Sequence, residues 1–149
     1  MAGRIRGGRV KYQEERWADV WGELSLYFQA HFDESGSPGK LDFDYERYHG
    51  LGSALQVITA RGEALAGYHV SILLTHGLTR DLCAFVDFYY AIRRGRFVGL
   101  GLMKKAEEVW RSKGVKTAFS AEKLKIPHAV MYRRRGWVHM ENLYSKELK

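Results

Sequence analysis

Little in this chain of 149 residues provides for a covalent staple, a membrane span or a metal. Its one cysteine, Cys83, cannot form an internal disulfide, and its place inside an apolar run predicts a buried, inert thiol. No apolar stretch approaches the length of a membrane span, and the N-terminus lacks the hydrophobic core of a secretory signal, so a cytoplasmic address is expected. There are only two prolines. Pro38 sits in the breaker segment Ser35-Gly-Ser-Pro-Gly39, and Pro127 stands where it can start a helix. His49, His69, His76, His128 and His139 have no ligand spacing, so no metal is expected. The dinucleotide-binding G-x-G-x-x-G is absent, because Gly99-Leu-Gly101 runs on into Leu102, Met103 and Lys104. The nucleotide-phosphate pattern G-x-x-x-x-G-K-[ST] is absent too. Neither a zinc-finger spacing, an RRM signature nor a tandem basic helix occurs, which leaves dedicated nucleic-acid binding as the second choice. No internal repeat or low-complexity tract appears.

What is present is one domain, residues 1–149, large enough to bury a core. Hydrophobic residues make up 46% and charged residues 28%, as in ordinary globular domains. The net charge of +7 suits an anionic ligand, a nucleic acid included. Residues 1–9, with three glycines and three arginines, are expected to form a flexible basic arm, or to lead into a short strand near Arg9 to Tyr12.

The chain's pivot is Asp81 to Arg111. Leu82 to Ile92 is an apolar and aromatic run suited to a buried strand. Next comes a basic stretch, Arg93, Arg94 and Arg96, with Gly99 and Gly101 beyond it. Leu102, Met103, Ala106, Val109 and Trp110 then recur with the spacing of one helical face. Strand, basic glycine-containing loop and helix is an order that makes a phosphate cradle, since the first amides of a helix are unpaired and carry partial positive charge. Glycines that only relieve packing, and arginines that form a solvated face, are the competing reading.

Around this pivot, Gln13 to His31 has the helical stripe Trp17, Val20, Trp21, Leu24, Tyr27, Phe28 and His31. Leu41 to Leu51 is expected as a second helix capped by Asp42. Leu55 to Ala60 and Ala64 to Thr75 read as strands joined at Arg61-Gly62-Glu63. Gly114 ends the long helix, Val115 to Ser120 reads as a strand, the helix that Pro127 can start carries Ala129, Val130 and Tyr132, and Trp137 to Leu148 reads as a last strand. The fold class is therefore α/β, a mixed central sheet flanked by helices.

Three blocks of residues carry a resemblance. Arg96-Phe-Val-Gly99-Leu-Gly101 resembles the R/Q-x-x-G-x-G/A acetyl-CoA loop of the GNAT superfamily of N-acetyltransferases. Ala129-Val-Met-Tyr132-Arg-Arg-Arg-Gly136-Trp137 is similar to that family's late A-x-x-x-Y-x-x-x-G-F segment, and Thr59 to Tyr68 reads like its central hairpin. The blocks follow the family's order over roughly the last two thirds of the chain. The resemblance implies an acyl-CoA N-acyltransferase fold, acetyl-CoA as co-substrate and transfer of its acetyl group to a primary amine by direct attack.

It also implies roles. Arg96, Phe97, Val98, Gly99, Leu100, Gly101 and Leu102 would hold the pyrophosphate, chiefly through backbone amides, and the backbone of Tyr89, Tyr90 and Ala91 would hold the pantetheine arm. The family often has a proline at the position of Arg93 and aliphatic residues at 89–91, from which this chain departs. Tyr132 matches the tyrosine beside the coenzyme sulfur; a phenol is a reasonable acid toward a thiolate, their ordinary pKa values being about 10 and roughly 8.5. A core tyrosine is the other reading. Asp87 interrupts an apolar strand, and a carboxylate buried there without a cation would hold a proton tightly and take one from an ammonium. An aspartate satisfied by amides or an arginine competes with that role. Ser120 occupies the place where several relatives carry a glutamate. His31 and Glu34 fall in the acceptor wall, where a histidine complementing its helix dipole is the alternative. Arg133 to Arg135 form a solvated face or lie near the adenosine 3′-phosphate or an acidic acceptor. A non-catalytic acyl-CoA-binding module of the same fold fits the same residues. The acceptor is unidentified, and a homodimer is compatible with the sequence.

Overall fold

In the computed structural model of the protein, residues 9–92, 97–121, 129–141, 143–146 and 148 are described. Five strands, β1 (Lys11–Glu15), β2 (Leu55–Arg61), β3 (Leu65–Thr75), β4 (Leu82–Ala91) and β5 (Thr117–Phe119), form one sheet in that order. The first three pairings are antiparallel and β4–β5 is parallel, giving the expected mixed sheet. A parallel pair needs a crossover, and α4 (Val98–Ser112) supplies it.

Alternation along β2 explains why the sheet takes helices on both faces. Ile58 and Ala60 point to α4, where they meet Leu102, Met103, Ala106 and Trp110. Val57 points the other way, joining Tyr68 and Val70 beneath α1 (Trp17–Ser25) and α2 (Phe28–Ser35). α3 (Tyr45–Gly50) completes that second layer, and α5 (Ala129–Arg134) lies with α4.

Several expectations are corrected. Gln13 to Glu15 belong to β1, because pairing with β2 lets Glu15 accept from Arg61 Nε at 2.7 Å and from Thr59. The stripe from Trp17 then runs over two helices that break at Leu26 and Tyr27. The cap of α3 is Asp44, whose carboxylate accepts the Arg47 amide at 3.0 Å, so the helix starts later than Leu41. Trp137 to Leu148 is not a strand at any described residue. Trp137 turns back to donate its amide to the Tyr132 carbonyl at 2.9 Å, and Val138, Met140, Leu143 and Tyr144 are exposed. A strand exists only by pairing, and β5 offers an edge of three residues. Cys83 is buried and free, as expected. The expected basic arm lies, up to Gly8, outside the described residues, and so does Pro127.

His69 on β3 is fully enclosed between Tyr89 and Trp110, with neither ring nitrogen hydrogen-bonded among the described residues. Burial pushes its pKa from the ordinary 6.5 down to about 4. As pH falls through that interval the unfolded chain takes up a proton that the folded chain refuses, so stability is present above pH 6.5 and lost on the way to pH 4. At ~1.4 kcal/mol per unit, the loss is on the order of 3 kcal/mol. Denaturant titrations across this range should show a steeper acid loss for the parent than for His69→Gln; parallel curves would contradict the assignment.

Candidate active site

The site is built where β4 hands over to α4. At its start β4 is paired on both sides, with Cys83 to Phe85 against Thr117 to Phe119 of β5. From Val86 onward it keeps only β3 as a neighbour among the described residues, so the sheet opens there. The same point carries a β-bulge: Val70 pairs with Phe88 and Ser71 with Val86, leaving Asp87 as the extra residue.

That one residue resets the alternation. Ala84 and Val86 face α4, whereas Phe88 and Tyr90 face the α1–α3 layer. Tyr89 consequently points to the α4–α5 side, where its hydroxyl lies 3.3 Å from that of Tyr132. Adjacent tyrosines thus serve opposite faces of the opened sheet.

At the start of α4, Phe97 is the N-cap in a left-handed conformation (φ 57°) and is largely exposed. Such a backbone is costly for a residue with a Cβ and collects at functional turns. The first intrahelical bond runs from the Gly101 amide to the Phe97 carbonyl at 2.8 Å. The amides of Val98, Gly99 and Leu100 therefore precede the helix's own ladder, and the N-cap side chain, Phe97, makes no capping hydrogen bond to them. Among the described residues, a Cβ on Gly99 would meet nothing within 4 Å. The Val98 and Leu102 side chains are core residues, so both can serve a ligand only through backbone. Gly101 differs from its expected use: a Cβ there would run into the Tyr12 ring of β1, so this glycine seats α4 on the sheet. Arg96, the loop's expected cation, lies outside the described residues, as do Arg93 and Arg94.

Tyr132, on α5, is buried against Trp137 at 5.1 Å between ring centroids. Its hydroxyl sits 2.5 Å from Ser120 Oγ, just past β5, as well as near Tyr89. Asp87 departs from expectation: the bulge turns it to an exposed position, where its carboxylate accepts a hydrogen bond from the Tyr48 hydroxyl. Burial, and then the Asp87 carboxylate, push the Tyr48 phenol well above its usual range, so it stays protonated and keeps donating.

His31 and Glu34 come together through Tyr90. The His31 imidazole stacks on the Tyr90 ring at 4.8 Å and 10°, while the Tyr90 hydroxyl donates to Glu34 Oε1 at 2.8 Å. His31 Nδ1 also lies 3.1 Å from the Tyr68 hydroxyl. Burial, and next the neighbouring Tyr90, keep the Tyr68 phenol protonated by raising its pKa. The two residues expected in an acceptor wall therefore share one aromatic and polar network on the face that also displays Asp87. Of Arg133 to Arg135, the first two are exposed and the third is committed to Glu107, with Nε 3.0 Å from Oε2.

Sequence reading missed Tyr48, Tyr68 and Ser120 as partners. Tyr48 and Asp87 are 39 positions apart and Tyr132 and Ser120 are 12 apart, separations with no local signature. Two surface clefts, of about 530 and 620 Å³, border α3 and meet at His49. Neither touches Tyr132 or α4's first turn: the first lies between Trp21 of α1 and α3, and the second is lined by Glu14 and Glu15 of β1, Trp17, Tyr48, Leu55 and Lys113, so the strand-to-helix geometry is the better guide to the site. Among the described residues, no three His, Cys, Asp or Glu side chains cluster to hold a metal, and no helix is long and apolar enough to cross a membrane.

Comparison with known proteins gives structural matches, while no family model and no curated sequence matches the chain. An aminoglycoside acetyltransferase from an uncultured soil metagenomic sample superposes with a TM-score of 0.75 at 14% identity, over 94% of this chain and 97% of that one. A predicted acetyltransferase from Clostridium acetobutylicum, solved with acetyl-CoA, gives 0.74 at 13% identity over 93% and 96%. A ribosomal-protein-alanine N-acetyltransferase from Brucella melitensis gives 0.74 at 17% over 95% and 99%. The chain has the fold of the GNAT acetyltransferases.

Proposed function

We propose that this protein is an acetyl-CoA-dependent N-acetyltransferase that transfers the acetyl group to a primary amine by direct attack. The observation that carries the reading is the start of α4, where three amides precede the helical ladder beside an open Gly99. Donors of that kind suit a diphosphate, and they lie at the end of the strand that parts from its neighbour. The fold match to a structure holding acetyl-CoA supports the same cofactor.

Acetyl-CoA supplies an activated acetyl thioester. The chain's part is to bind, orient and move protons. Val98, Gly99 and Leu100 hold the diphosphate by their amides. The backbone of Tyr89 to Ala91, along the opened edge of β4, aligns the arm leading to the thioester. Asp87, on the acceptor face and held by Tyr48, receives the proton shed by the amine, directly or through water. Tyr132 Oη, on the other face of the opening, gives a proton to the departing sulfur. His31, Glu34 and Tyr90 form the acceptor wall. The acceptors printed for the structural neighbours differ, among them an aminoglycoside and a ribosomal-protein alanine, so the fold does not choose the amine.

The reading is tested by heat. Acetyl-CoA at one hundred times its Kd stabilises by about 2.7 kcal/mol, a rise in Tm of roughly 5–10 °C for a domain of this size. Gly99→Trp, at a position with free space around it, should fold normally and lose the rise. A parent that shows no shift with acetyl-CoA would overturn the proposal, and an undiminished shift in Gly99→Trp would overturn the loop assignment.

A further inference from the structure

The three hydroxyls at Tyr132 have a consequence beyond that acid role. Ser120 Oγ and the Tyr132 hydroxyl are 2.5 Å apart, and Tyr89 closes the group at 3.3 Å. Tyr132 is buried, whereas Ser120 is only partly buried and is followed by exposed Ala121. A phenol that gives up its proton in a buried place must recover one before the next turnover, and a phenolate stranded there is costly. Among the described residues, Ser120 provides the shorter of the two hydrogen-bonded steps from the Tyr132 hydroxyl, and a hydroxyl both donates and accepts.

We propose that Ser120 is a positioning and proton-relay residue that acts through Tyr132. This rests on the acetyl-transfer reading above. In the transfer, the bond from amine nitrogen to carbonyl carbon forms and the carbon–sulfur bond breaks. The sulfur takes the Tyr132 hydroxyl proton. Ser120 passes its own hydroxyl proton to the Tyr132 phenolate and regains one from water, while the proton released by the amine passes to Asp87 and from there to solvent. Protons balance, and no oxidant or reductant is needed. Either hydroxyl can donate in this pair, and with Ser120 as the donor the Tyr132 proton is left available to the sulfur. Tyr89 restricts the phenol from the other side. The serine that stands where several relatives of the resembled family carry a glutamate thus serves the acid half of the reaction.

Steady-state kinetics with acetyl-CoA and an amine that the parent acetylates, combined with a double-mutant cycle, tests the relay. Ser120→Ala should lower kcat about tenfold, a part of the gain expected from a general acid, with KM for acetyl-CoA unchanged. Ser120→Thr, which keeps a hydroxyl, should restore most of the rate. In a Tyr132→Phe background, Ser120→Ala should have no further effect. A second readout uses the free protein: the Tyr132 Cζ resonance in ¹³C-tyrosine-labelled protein, assigned by its loss in Tyr132→Phe, should move in Ser120→Ala and return in Ser120→Thr. An unchanged rate or resonance in Ser120→Ala, or an equal loss in both backgrounds, would overturn the relay while leaving acetyl transfer standing. No transfer by the parent across an amine panel would overturn both.

Discussion

Tyr132→Phe should bind acetyl-CoA as the parent does and turn over about 100-fold more slowly, the lower end of what a positioned general acid contributes. The change removes one oxygen. The ring stays packed on Trp137, and the backbone bond from the Trp137 amide to the residue-132 carbonyl stays in place, so the fold around α5 is kept. Ser120 Oγ and the Tyr89 hydroxyl lose a shared partner, but neither is deeply buried, and water can replace it at small cost. The loss should therefore fall on kcat, with KM for acetyl-CoA nearly constant, because the interaction matters only as negative charge develops on sulfur. Unchanged turnover would remove Tyr132 from the mechanism and leave it a core residue.

Gly67→Val should destabilise the domain by about 3 kcal/mol, at the upper end of ordinary overpacking costs, and lower Tm by roughly 6–12 °C. A Cβ at position 67 would lie 2.8 Å from the Tyr90 carbonyl oxygen, 2.9 Å from Val98 Cγ1 and 3.1 Å from Leu102 Cδ1. The first of these is backbone and cannot rotate away. Val98 and Leu102 are core side chains of α4's first turns, so displacing them presses on the turn whose amides are the proposed diphosphate donors. The variant should accordingly lose acetyl-CoA affinity along with stability. Gly77→Ala, where nothing lies within 4 Å, is the control, and its Tm should stay near the parent's. A Gly67→Val protein as stable as the control would mean that α4 is not seated on β3 in this way.

Much of the fold was legible because burial leaves periodic traces. The strands β2, β3 and β4 fall within a residue or so of their apolar runs, and the face of α4 through Leu102, Met103, Ala106, Val109 and Trp110 is buried as its spacing requires. The first helix departs from its expected extent for a physical reason: Trp17, Val20, Leu24 and Phe28 keep helical steps across the break at Leu26 and Tyr27, so one stripe serves two helices. Gln13 to Glu15 carry no local sign of their strand state, because the partner that makes them a strand lies more than forty residues away. Trp137 to Leu148 had the composition of a strand, but the sheet edge at β5 is only three residues long.

The sequence by itself determined the order strand, glycine-bearing turn, helix, and with it where free amides would gather, because that arrangement depends only on local periodicity and on the helix's own unpaired ends. It also supplied Tyr132, Asp87, His31 and Glu34 as residues worth attention. Which of these meet was settled in three dimensions, by the bulge at Asp87. A strand's side chains alternate, so one inserted residue exchanges the faces of all that follow. Simple alternation from Ala84 and Val86 would have sent Tyr90 toward α4 and Tyr89 toward the acceptor wall. The inserted residue instead delivers Tyr90 to His31 and Glu34, and Tyr89 to Tyr132 and Ser120. Because the bulge arises from pairing with β3, no reading of β4 alone could contain it.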